Sequence, residues 1–460
     1  MQWEDETKHA VSTAESQFVC EAADAIRMRL VKNVDSLDET EGDDCFNPEF
    51  THQHFGDGET IVGYSDLDIR LSFAAGNLHA YFEMNYDSKI TEVDKTVEAD
   101  DVFGKLSKLW AENQKIETNK DGFLKRLKED VDFKPFGELL HSYSVADKAS
   151  PSDQRQFTIY MQRSPGGEQF QRYLGRMQTF AFWFIDAAQF TDVDDEKWSH
   201  FMLFEKVTDS AGPVRHHFVG YASVYHYYAY PEHVRPRIAQ ILLLPPFRRS
   251  GHGVRLLQTI YNHFVPQISV IDITAEEPAE TFVQLRDFVD SVNCSTLLPS
   301  FAPEKLKDGF SSEMATEATE KLKIPKKQAR RVYEILRLKC TNVANDEEYT
   351  KYRLAIKQRL NIPYQKNKEF AKSLRSLSEP ELMQVVAAES AEQRKAQLQK
   401  DFERTVEVYR HVINRLDTYA NRADHPVAKL APKTAANNTV KGKTIVNGYA
   451  ADSKLVNGVH

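Results

Sequence analysis

The sequence predicts a protein of the α+β or α/β class, with a central core, an N-terminal α+β domain and a C-terminal helical region. Three observations support this fold class. Residues 239–244 form a short apolar run typical of a buried strand, and a helical pattern follows through Val254, Leu257 and Ile260. Short alternating segments separated by turn residues precede this core. After residue 296 the pattern becomes helical and basic.

Two prolines end the apolar run at 239–244. Pro245 and Pro246 have no N–H to donate, so the strand cannot stay paired in a sheet beyond them. We therefore expect the neighbouring strand, predicted at residues 269–274, to diverge and to leave a slot with unpaired backbone groups. That strand leads into Glu276 and Glu277. Two carboxylates at a strand's exit, beside a slot, predict a site.

A glycine-containing loop follows the prolines and opens directly into the helix. It reads Arg248-Arg249-Ser250-Gly251-His252-Gly253. Backbone N–H groups and the positive end of a helix dipole would then point at one spot, which suits a pyrophosphate. An ordinary turn before a helix is the alternative interpretation of so short a pattern. For His252, a packing or solvent-facing role is the alternative to that of a catalytic base.

Composition limits the classes of function. The chain has 460 residues, 41% hydrophobic and 28% charged, with a net charge of −9. That charge argues against binding a polyanion over the whole surface, while Arg248 and Arg249 supply a local basic loop for an anionic cofactor. Four scattered cysteines show no metal spacing, so they are expected to be reduced thiols and no metal is expected. No apolar run is long enough to span a membrane, and the acidic start lacks a signal-peptide core.

The predicted domains follow changes in composition and pattern. They are an acidic, partly flexible segment at 1–46, an α+β domain at 47–137, the core at 138–295, a helical domain at 296–345, a long helical extension at 346–422 and a disordered tail at 423–460. An amphipathic helix is predicted over 18–30, a long aromatic helix over 170–190, and two antiparallel strands at 201–204 and 218–225. A basic helix from Lys326 either packs on the core or contacts nucleic acid. The helix predicted at 379–422 either packs on an earlier helix or pairs with a partner.

Longer segments carry a resemblance to a known family. The spacing Arg-x-x-Gly-x-Gly at 248–253 resembles the acetyl-CoA motif of the GNAT N-acetyltransferases. Arg235-Pro236-Arg237-Ile238, Asp272-Ile273-Thr274-Ala275-Glu276-Glu277-Pro278 and Leu285-Arg286-Asp287-Phe288-Val289 resemble the catalytic subunits of type B histone acetyltransferases. The resemblance extends over about 46–416. It implies a GNAT core and acetyl transfer from acetyl-CoA to N-terminal lysines of free, newly made histone H4.

Acetyl transfer assigns roles to the residues of the slot. A free lysine is almost entirely protonated at neutral pH, so a carboxylate must take its proton, and Glu276 is the predicted general base. The alternative for Glu276 is a solvated acid that caps the following helix. The resemblance supports Glu276 as base, with Glu277 and Asp186 as assisting carboxylates, although human-type members carry a glutamate where Asp186 stands. The oxyanion donor is expected to be the N–H of Leu243 or Leu244.

Binding residues follow from the same reasoning and resemblance. The cofactor-binding set comprises Ile241, Leu242, Leu243, Arg248, Arg249, Ser250, Gly251, His252, Gly253, Val254, Pro278 and Phe288. The resemblance assigns histone-tail binding to Asp57, Gly58, Glu59, Asp194, Trp198, Tyr225, His226 and Tyr227. Carboxylates would attract a cationic peptide and aromatics would pack its lysine stem. On spacing alone, the acidic run that contains Asp194 is more typical of a solvated loop.

The resemblance also implies partners and compartments. The family works in nucleus and cytoplasm with a WD40-repeat histone-binding subunit, on histone H4 expected together with histone H3. Neither a membrane nor direct DNA binding is expected. Two other classes of function remain open: a non-catalytic histone chaperone that keeps the groove, and an acetyltransferase for protein N-termini or polyamines.

Overall fold

The computed structural model describes residues 16–37, 45–108, 110, 115–147, 150, 152–208, 212–373 and 391–419. The tail at 423–460 and most of the acidic run at 35–44 lie outside these residues. The strands are β1 Val19–Glu21, β2 Ile26–Val31, β3 Cys45–Phe46, β4 Thr60–Val62, β5 Tyr64–Ser65, β6 Asp68–Ala74, β7 Ala80–Asn85, β8 Ser88–Lys89, β9 Glu138–Ala146, β10 Gln154–Arg163, β11 Trp198–Thr208, β12 Val214–Ala229, β13 His233–Leu243 and β14 Thr274–Ala275.

The helices of the N-terminal half are short, and the longest helices lie near the C-terminus. They are α1 Ala22–Ala25, α2 His52–Phe55, α3 Ile90–Val93, α4 Val102–Ser107, α5 Lys120–Asp130, α6 Glu168–Gln178, α7 Ala181–Phe184, α8 His252–Phe264, α9 Glu280–Leu297, α10 Pro303–Leu306, α11 Ser312–Leu322, α12 Lys326–Cys340, α13 Asp346–Ser373 and α14 Ala391–Tyr419. This mixed architecture, with a helical C-terminal region, confirms the predicted fold class. None of the helices in the described part of the chain is both long and apolar enough to cross a membrane.

A six-stranded sheet within the described residues forms the centre of the core. Its order is β14-β13-β12-β11-β10-β9, and all neighbours are antiparallel except β13 and β14, which run parallel. Helix α8 packs on one face, where Phe264 meets Phe201 at 5.9 Å between ring centroids. Helix α6 packs on the other, where Phe170 meets His200 at 5.8 Å. A helix therefore covers part of each face. The ends of β12 and β13 remain open to form a site.

The N-terminal region has its own sheet and is joined to the core. The strand order is β3-β2-β6-β7, with β2 and β6 parallel. Phe73 of β6 packs on Phe180 at 4.6 Å, and the Phe218 N–H donates to the Ala75 carbonyl at 2.6 Å. The Arg176 guanidinium donates to the Asn77 carbonyl at 2.7 Å. The two sheets therefore share one continuous hydrophobic core.

Some predicted elements are wrong in detail. Residues 18–30 form β1, the single turn α1 and β2 rather than one helix. The buried positions Ile26, Met28 and Leu30 alternate with arginines, a period of two that indicates a strand. The aromatic helix predicted over 170–190 ends at Gln178 and resumes only as α7. Within the strand predicted over 269–274, only Thr274 belongs to a strand of the structure, where it pairs with Arg237. Ala275, just beyond it, pairs with Ile238, and Val270 forms an isolated bridge with Val234.

The last helix packs within the chain. Helix α14 buries an apolar stripe comprising Phe402, Val406, Tyr409, Val412 and Leu416. This confirms the alternative in which it packs on an earlier helix; residues 379–390 and 420–422 of the predicted helix lie outside the described residues. In α12, Arg331 is also turned inward, since its Nε lies 2.7 Å from the buried Asp287 carboxylate. Lys326 and Lys327, at the start of α12, are exposed, so this helix packs on the core and keeps part of its basic face solvated, as the packing alternative predicted.

Candidate active site

The open edge of β13 defines the candidate site. On one side, β12 pairs with β13 along its whole length, and the Leu244 N–H donates to the Val219 carbonyl at 3.0 Å. On the other side, β14 pairs only with Arg237 and Ile238, and the Glu276 N–H donates to the Ile238 carbonyl at 3.0 Å. Beyond Ile238, no strand of the described chain lies beside β13 on that side. The predicted divergence of the strands is confirmed.

Alternation along β13 identifies which backbone groups face the gap. In an antiparallel ladder, every second residue exchanges hydrogen bonds with its partner strand. Because Leu244 bonds to β12, Leu242 does so too, while the N–H and C=O groups of Ile241 and Leu243 point to the gap. The alternative of Leu244 as oxyanion donor is therefore wrong, since its N–H is already bonded to Val219. The Leu243 N–H is the donor that remains.

The strands part at a β-bulge, earlier than the sequence indicated. Ser223 pairs with Gln240 and Val224 pairs with Ile238, so Ala239 is an extra residue on β13. A bulge bends its strand and re-aims the residues beyond it. The two prolines instead form a single 3-10 turn, Pro245–Phe247, that leads away from the sheet. A bulge is defined by how two strands pair, so no sequence signal within β13 alone could have located this one.

The glycine loop and the first turn of α8 form the far end of the gap. Gly251 has φ +82° and is the N-cap of α8, and Arg249 also has a positive φ of 61°. The first N–H groups of a helix have no intrahelical partner, and they point along the axis toward the loop. Arg249 is exposed, while Ser250 and Gly251 are half-buried. An anion at this place would meet backbone donors and little steric obstruction.

Two side chains of the loop have other contacts. The His252 side chain is buried, its Nδ1 lies 2.8 Å from the Tyr143 hydroxyl, and its ring is 4.3 Å from that of Phe157. It is a packing residue, so only its backbone faces the loop. The Arg248 Nε donates to the Leu243 carbonyl at 2.8 Å, and its Nη1 pairs with Glu49. Contact between Arg248 and a phosphate stays a prediction.

Glu276 lies at the near end of the gap, on the sheet face opposite α8. Its carboxylate is 46% exposed, and its Oε1 is 3.9 Å from the Arg237 Nη1. The Arg237 guanidinium lies 4.4 Å from the Tyr227 ring centroid. Arg237 was not among the residues predicted to form the site. Neither its position four residues before Ile241 nor its charge, opposite to that of Glu276, indicates a site residue in the sequence.

An aromatic row continues from Arg237 across the same face. Tyr227 and Tyr225 have ring centroids 4.6 Å apart, and Tyr225 lies 4.9 Å from Trp198. His226 points to the opposite face, where it packs on Phe264 at 5.3 Å. Burial lowers the pKa of His226 to about 4. The structure thus brings Tyr225, Tyr227 and Trp198 together beside Glu276 and leaves the His226 side chain out of the row.

The other predicted carboxylates surround this face at different distances from the gap. Asp186 is 74% exposed and its Oδ1 is 3.4 Å from the His52 Nε2. Its loop is attached to β13, because the Gln240 side chain donates to the Gln189 carbonyl at 2.7 Å. Glu277 is exposed with φ +32°, and Pro278 is exposed just before α9. Asp186 and Glu277 are therefore open to solvent near the gap.

The acidic substrate residues belong to two loops. Asp57 and Gly58 are exposed, whereas Glu59 accepts hydrogen bonds from the Thr51 N–H at 2.7 Å and the Thr51 hydroxyl at 2.6 Å. These bonds hold the pKa of Glu59 below its usual range. Asp194 is exposed and accepts from the Gln171 side chain at 3.1 Å. Glu59 thus has a structural role in its turn as well as a predicted binding role.

Phe288 is a predicted cofactor residue whose side chain is covered by helix α14. It is fully buried on α9, under Tyr419 at 5.1 Å between ring centroids and under the Arg415 guanidinium at 4.5 Å. Both covering residues come from α14. Gly253 contacts the same helix α9, since a Cβ placed on it would lie 3.2 Å from the Leu285 Cδ2. The sequence did not indicate that α14 returns to this end of the site.

Comparison with known proteins agrees with this geometry. Residues 18–186 match the family model described as histone acetyl transferase HAT1 N-terminus, and residues 286–338 match the one described as histone acetyltransferase type B catalytic subunit, C-terminal. The chain is 43% identical over 413 residues to the histone acetyltransferase type B catalytic subunit of Homo sapiens, which spans 89% of this chain and 96% of that relative. The Rattus norvegicus relative of the same name is 42% identical over the same shares. That of Cryptococcus neoformans var. neoformans is 30% identical over 86% of this chain and 97% of the relative.

These matches confirm the resemblance drawn from the sequence and the prediction of an acetyltransferase. The two family models leave residues 187–285 unmatched, whereas the relatives match 86–89% of the chain. The chain belongs to the family of histone acetyltransferase type B catalytic subunits.

Proposed function

We propose that this protein transfers the acetyl group of acetyl-CoA to N-terminal lysine side chains of free, newly made histone H4, by direct attack of the amine. The observation that carries the proposal is a single hydrogen bond. The Glu276 N–H donates to the Ile238 carbonyl at 3.0 Å, which is the last ladder bond before the strands part. The backbone of the proposed base is therefore fixed at the mouth of the gap in which an acyl donor would lie.

The residues along the gap fit coenzyme A. The outward N–H and C=O groups of Ile241 would pair with the amides of pantetheine as a further strand does. The loop at Gly251 and the first turn of α8 would take the pyrophosphate. Acetyl-CoA supplies an activated thioester carbonyl. The Leu243 N–H, which faces the gap, is the donor for the charge that develops on that carbonyl oxygen.

Glu276 is the proposed general base. A lysine with its usual pKa near about 10.4 is nucleophilic in only about one molecule in 2,500 at neutral pH. A carboxylate that takes the proton, directly or through a water, contributes about 10²- to 10⁴-fold. The 46% exposure of Glu276 leaves room for an incoming lysine. As the substrate cation approaches, the Arg237 guanidinium would leave the Glu276 carboxylate and keep its contact with the Tyr227 ring, whose centroid lies 4.4 Å away.

Glu277 and Asp186 would assist from the surface of the same site. Both are exposed, and Asp186 is 3.4 Å from His52 in this structure. We assign them the passage of the proton to solvent and the attraction of the substrate cation.

The row Trp198, Tyr225 and Tyr227 supports a peptide substrate. Neighbouring rings of the row meet edge to face, with centroids 4.9 Å and 4.6 Å apart, and the row leads toward Glu276. An apolar, aromatic surface packs the methylene stem of a lysine and tolerates the glycines beside it. Exposed carboxylates at Asp57 and Asp194 favour a cationic chain over a neutral one. A histone tail has this chemistry.

Mass spectrometry tests the proposal. The full chain is incubated with acetyl-CoA and an equimolar mixture of a histone H4 tail peptide and spermidine. We expect acetylated lysine in the peptide, a loss of about 10²- to 10⁴-fold in rate for Glu276→Gln, and little change for Glu280→Gln, a nearby exposed glutamate.

Two outcomes would contradict the proposal. Absence of any acetylated product, with the peptide still bound, would indicate the histone chaperone. Preferential acetylation of spermidine, or of the peptide's N-terminal amine, would indicate the acetyltransferase for other amines.

We also propose that the protein works in nucleus and cytoplasm with a WD40-repeat histone-binding subunit. The family relationship supports this proposal. Affinity purification of the tagged chain from nuclear and cytosolic fractions tests it, because a histone and a WD40-repeat protein should be recovered from both. Recovery of the chain alone from both fractions would contradict it.

A further inference from the structure

The end of the last helix lies against the glycine loop. A Cβ placed on Gly251 would lie 3.6 Å from the Tyr419 hydroxyl oxygen and 2.8 Å from the Arg255 Nη1. Tyr419 in turn stacks near Phe288, with ring centroids 5.1 Å apart. The Arg415 guanidinium lies 4.5 Å from the Phe288 centroid and 5.9 Å from that of Tyr419. One helix end thus contacts both the loop and α9.

This position is fixed by buried contacts farther along α14. The Tyr409 hydroxyl donates to the Glu334 carboxylate of α12 at 2.8 Å, and Glu334 also accepts from the Arg359 Nε of α13 at 2.6 Å. The Arg331 guanidinium lies 5.2 Å from the Tyr409 ring centroid. Val412 and Leu416 are buried in the turns between Tyr409 and the loop. Helix α14 is therefore held to α12 and α13 along the two turns that precede Arg415.

The charges at this helix end suit a phosphate. The C-terminus of a helix carries a partial negative charge, which by itself repels an anion. Arg415, one turn before the end, offsets that charge. The N–H donors of a guanidinium lie in the plane of that group, so they remain available at its edge when its face is stacked on an aromatic ring. Their geometry matches that of a phosphate. Arg255, from the first turn of α8, provides a second cation beside Gly251.

The need for such cations follows from the loop itself. The chain has a net charge of −9 and its proposed cofactor is a polyanion. Arg248 was the first expected phosphate ligand, but its Nε is bonded to the Leu243 carbonyl and its Nη1 to Glu49. Arg249 is exposed in the loop, Arg255 lies beside Gly251, and Arg415 contacts Tyr419, whose hydroxyl lies beside the same glycine.

We propose that α14 forms the outer wall of the acetyl-CoA site, with Arg415 donating hydrogen bonds to a phosphate of coenzyme A and Tyr419 closing the loop against solvent. This inference rests on the proposed function, since it assigns a further binding residue to the same site. The 3′-phosphate and the pyrophosphate of coenzyme A share the chemistry that Arg415 would recognise. The helical region at 391–419 is then part of the cofactor site as well as a structural extension.

Calorimetric titration of the full chain tests the inference with coenzyme A and with dephospho-coenzyme A. A hydrogen bond to a charged group corresponds to about tenfold or more in Kd, so Arg415→Ala should raise the Kd for coenzyme A by about tenfold. Arg410→Ala is the matched control, because it removes an exposed arginine from the same helix away from the loop. Its Kd should equal that of the wild type. Arg415→Lys should recover part of the loss, and the thermal midpoint without ligand verifies that each variant folds.

The probes distinguish the two sources of phosphate. A loss with coenzyme A alone assigns the 3′-phosphate to Arg415, and an equal loss with both ligands assigns the pyrophosphate. Tyr419→Ala should weaken both ligands, since it opens the loop to solvent. Unchanged Kd values in Arg415→Ala and Tyr419→Ala would overturn the inference.

A loop variant separates this inference from the proposed function. If Gly253→Val loses coenzyme A and Arg415→Ala does not, the inference fails and the proposed site remains. If the wild type itself does not bind coenzyme A, the proposed function fails and this inference fails with it.

Discussion

Tyr225, His226 and Tyr227 are consecutive in β12, yet their side chains belong to two environments. The tyrosines lie in the aromatic row beside Arg237, and His226 is packed on Phe264. All three were predicted to bind the substrate. The alternation of a strand excludes this for the His226 side chain, but the sequence shows the alternation only once the strand and its register are known.

Tyr227→Ala tests the aromatic row. Removal of the ring deprives the peptide of its packing surface and Arg237 of the ring on which it stacks. We expect the KM for the histone peptide to rise about 5- to 30-fold, equivalent to about 1–2 kcal/mol, with no change in the Kd for coenzyme A. Tyr228→Ala is the control, since Tyr228 is 69% exposed on the other face. Equal effects of the two substitutions would contradict the row as a binding surface.

His226 also predicts a dependence of stability on pH. Burial lowers its pKa to about 4, whereas in the unfolded chain it titrates near about 6.5. As the pH falls below about 6.5, the unfolded state takes up a proton that the folded state does not. Stability is therefore complete above that pH and is lost as the pH falls toward about 4.

Denaturant unfolding at about pH 7 and about pH 5 measures this effect. His226 alone should account for about 2 kcal/mol of the free energy of unfolding lost between these values. His226→Gln cannot titrate, so its loss should be smaller by that amount. The variant loses the hydrogen bond between the Ser199 hydroxyl and the His226 Nε2 at 2.9 Å and the packing on Phe264, so it should be less stable at both pH values. A pH dependence identical to the wild type would contradict burial as the cause.

At the scale of elements, β13 and α8 were both visible in the sequence, and the gap beside β13 was inferred from the prolines. The gap is present, but the bulge at Ala239 opens it, and a bulge depends on how β13 pairs with β12. Residues 18–30 show the opposite error. An amphipathic helix was predicted over the whole stretch, but only Ala22–Ala25 form a helical turn, and the alternation of Ile26, Met28 and Leu30 places them in a strand.

Gly253→Val tests the packing of α8 on α9. A Cβ on Gly253 would lie 3.2 Å from the Leu285 Cδ2 and 3.6 Å from the Leu243 Cδ1, so branched γ-carbons would push α9 away. We expect the Kd for coenzyme A to rise at least about tenfold and the free energy of unfolding to fall by about 1–3 kcal/mol. Calorimetry and denaturant unfolding measure the two effects.

A second substitution serves as the control for Gly253→Val. Leu285→Ala provides the space that valine needs, so the double variant should recover part of the affinity. If the double variant binds no better than Gly253→Val alone, contact with Leu285 is not the cause.

At the scale of the whole molecule, three regions meet around the gap. The N-terminal region contributes Glu49, which pairs with Arg248, and the helical region contributes Tyr419 beside Gly251. The family resemblance located most site residues on the chain. It did not locate the return of α14, because the contacts between α14 and α9 join residues more than one hundred positions apart, and an amphipathic stripe does not name the surface on which it packs.

Glu334→Ala tests how the helical region is held. Glu334 is 1% exposed and bonds both Arg359 and Tyr409, so its removal leaves buried polar groups without their partner. We expect the free energy of unfolding to fall by about 3–5 kcal/mol. Glu347→Ala breaks the exposed pair with Lys351 and should leave the free energy of unfolding almost unchanged. Similar losses in both variants would contradict the assigned difference in burial.

The pH dependence of single-turnover acetyl transfer by Glu276→Gln tests the central claim most directly, which is that a carboxylate at the mouth of the β13 gap removes the lysine proton. At about pH 7 the variant should be slower than the wild type by about 10²- to 10⁴-fold, with an unchanged Kd for coenzyme A. Its rate should then rise about tenfold for each pH unit toward the pKa of free lysine, since the solution performs the deprotonation. A variant as fast as the wild type at about pH 7, or one whose deficit stays constant as the pH rises, would contradict it.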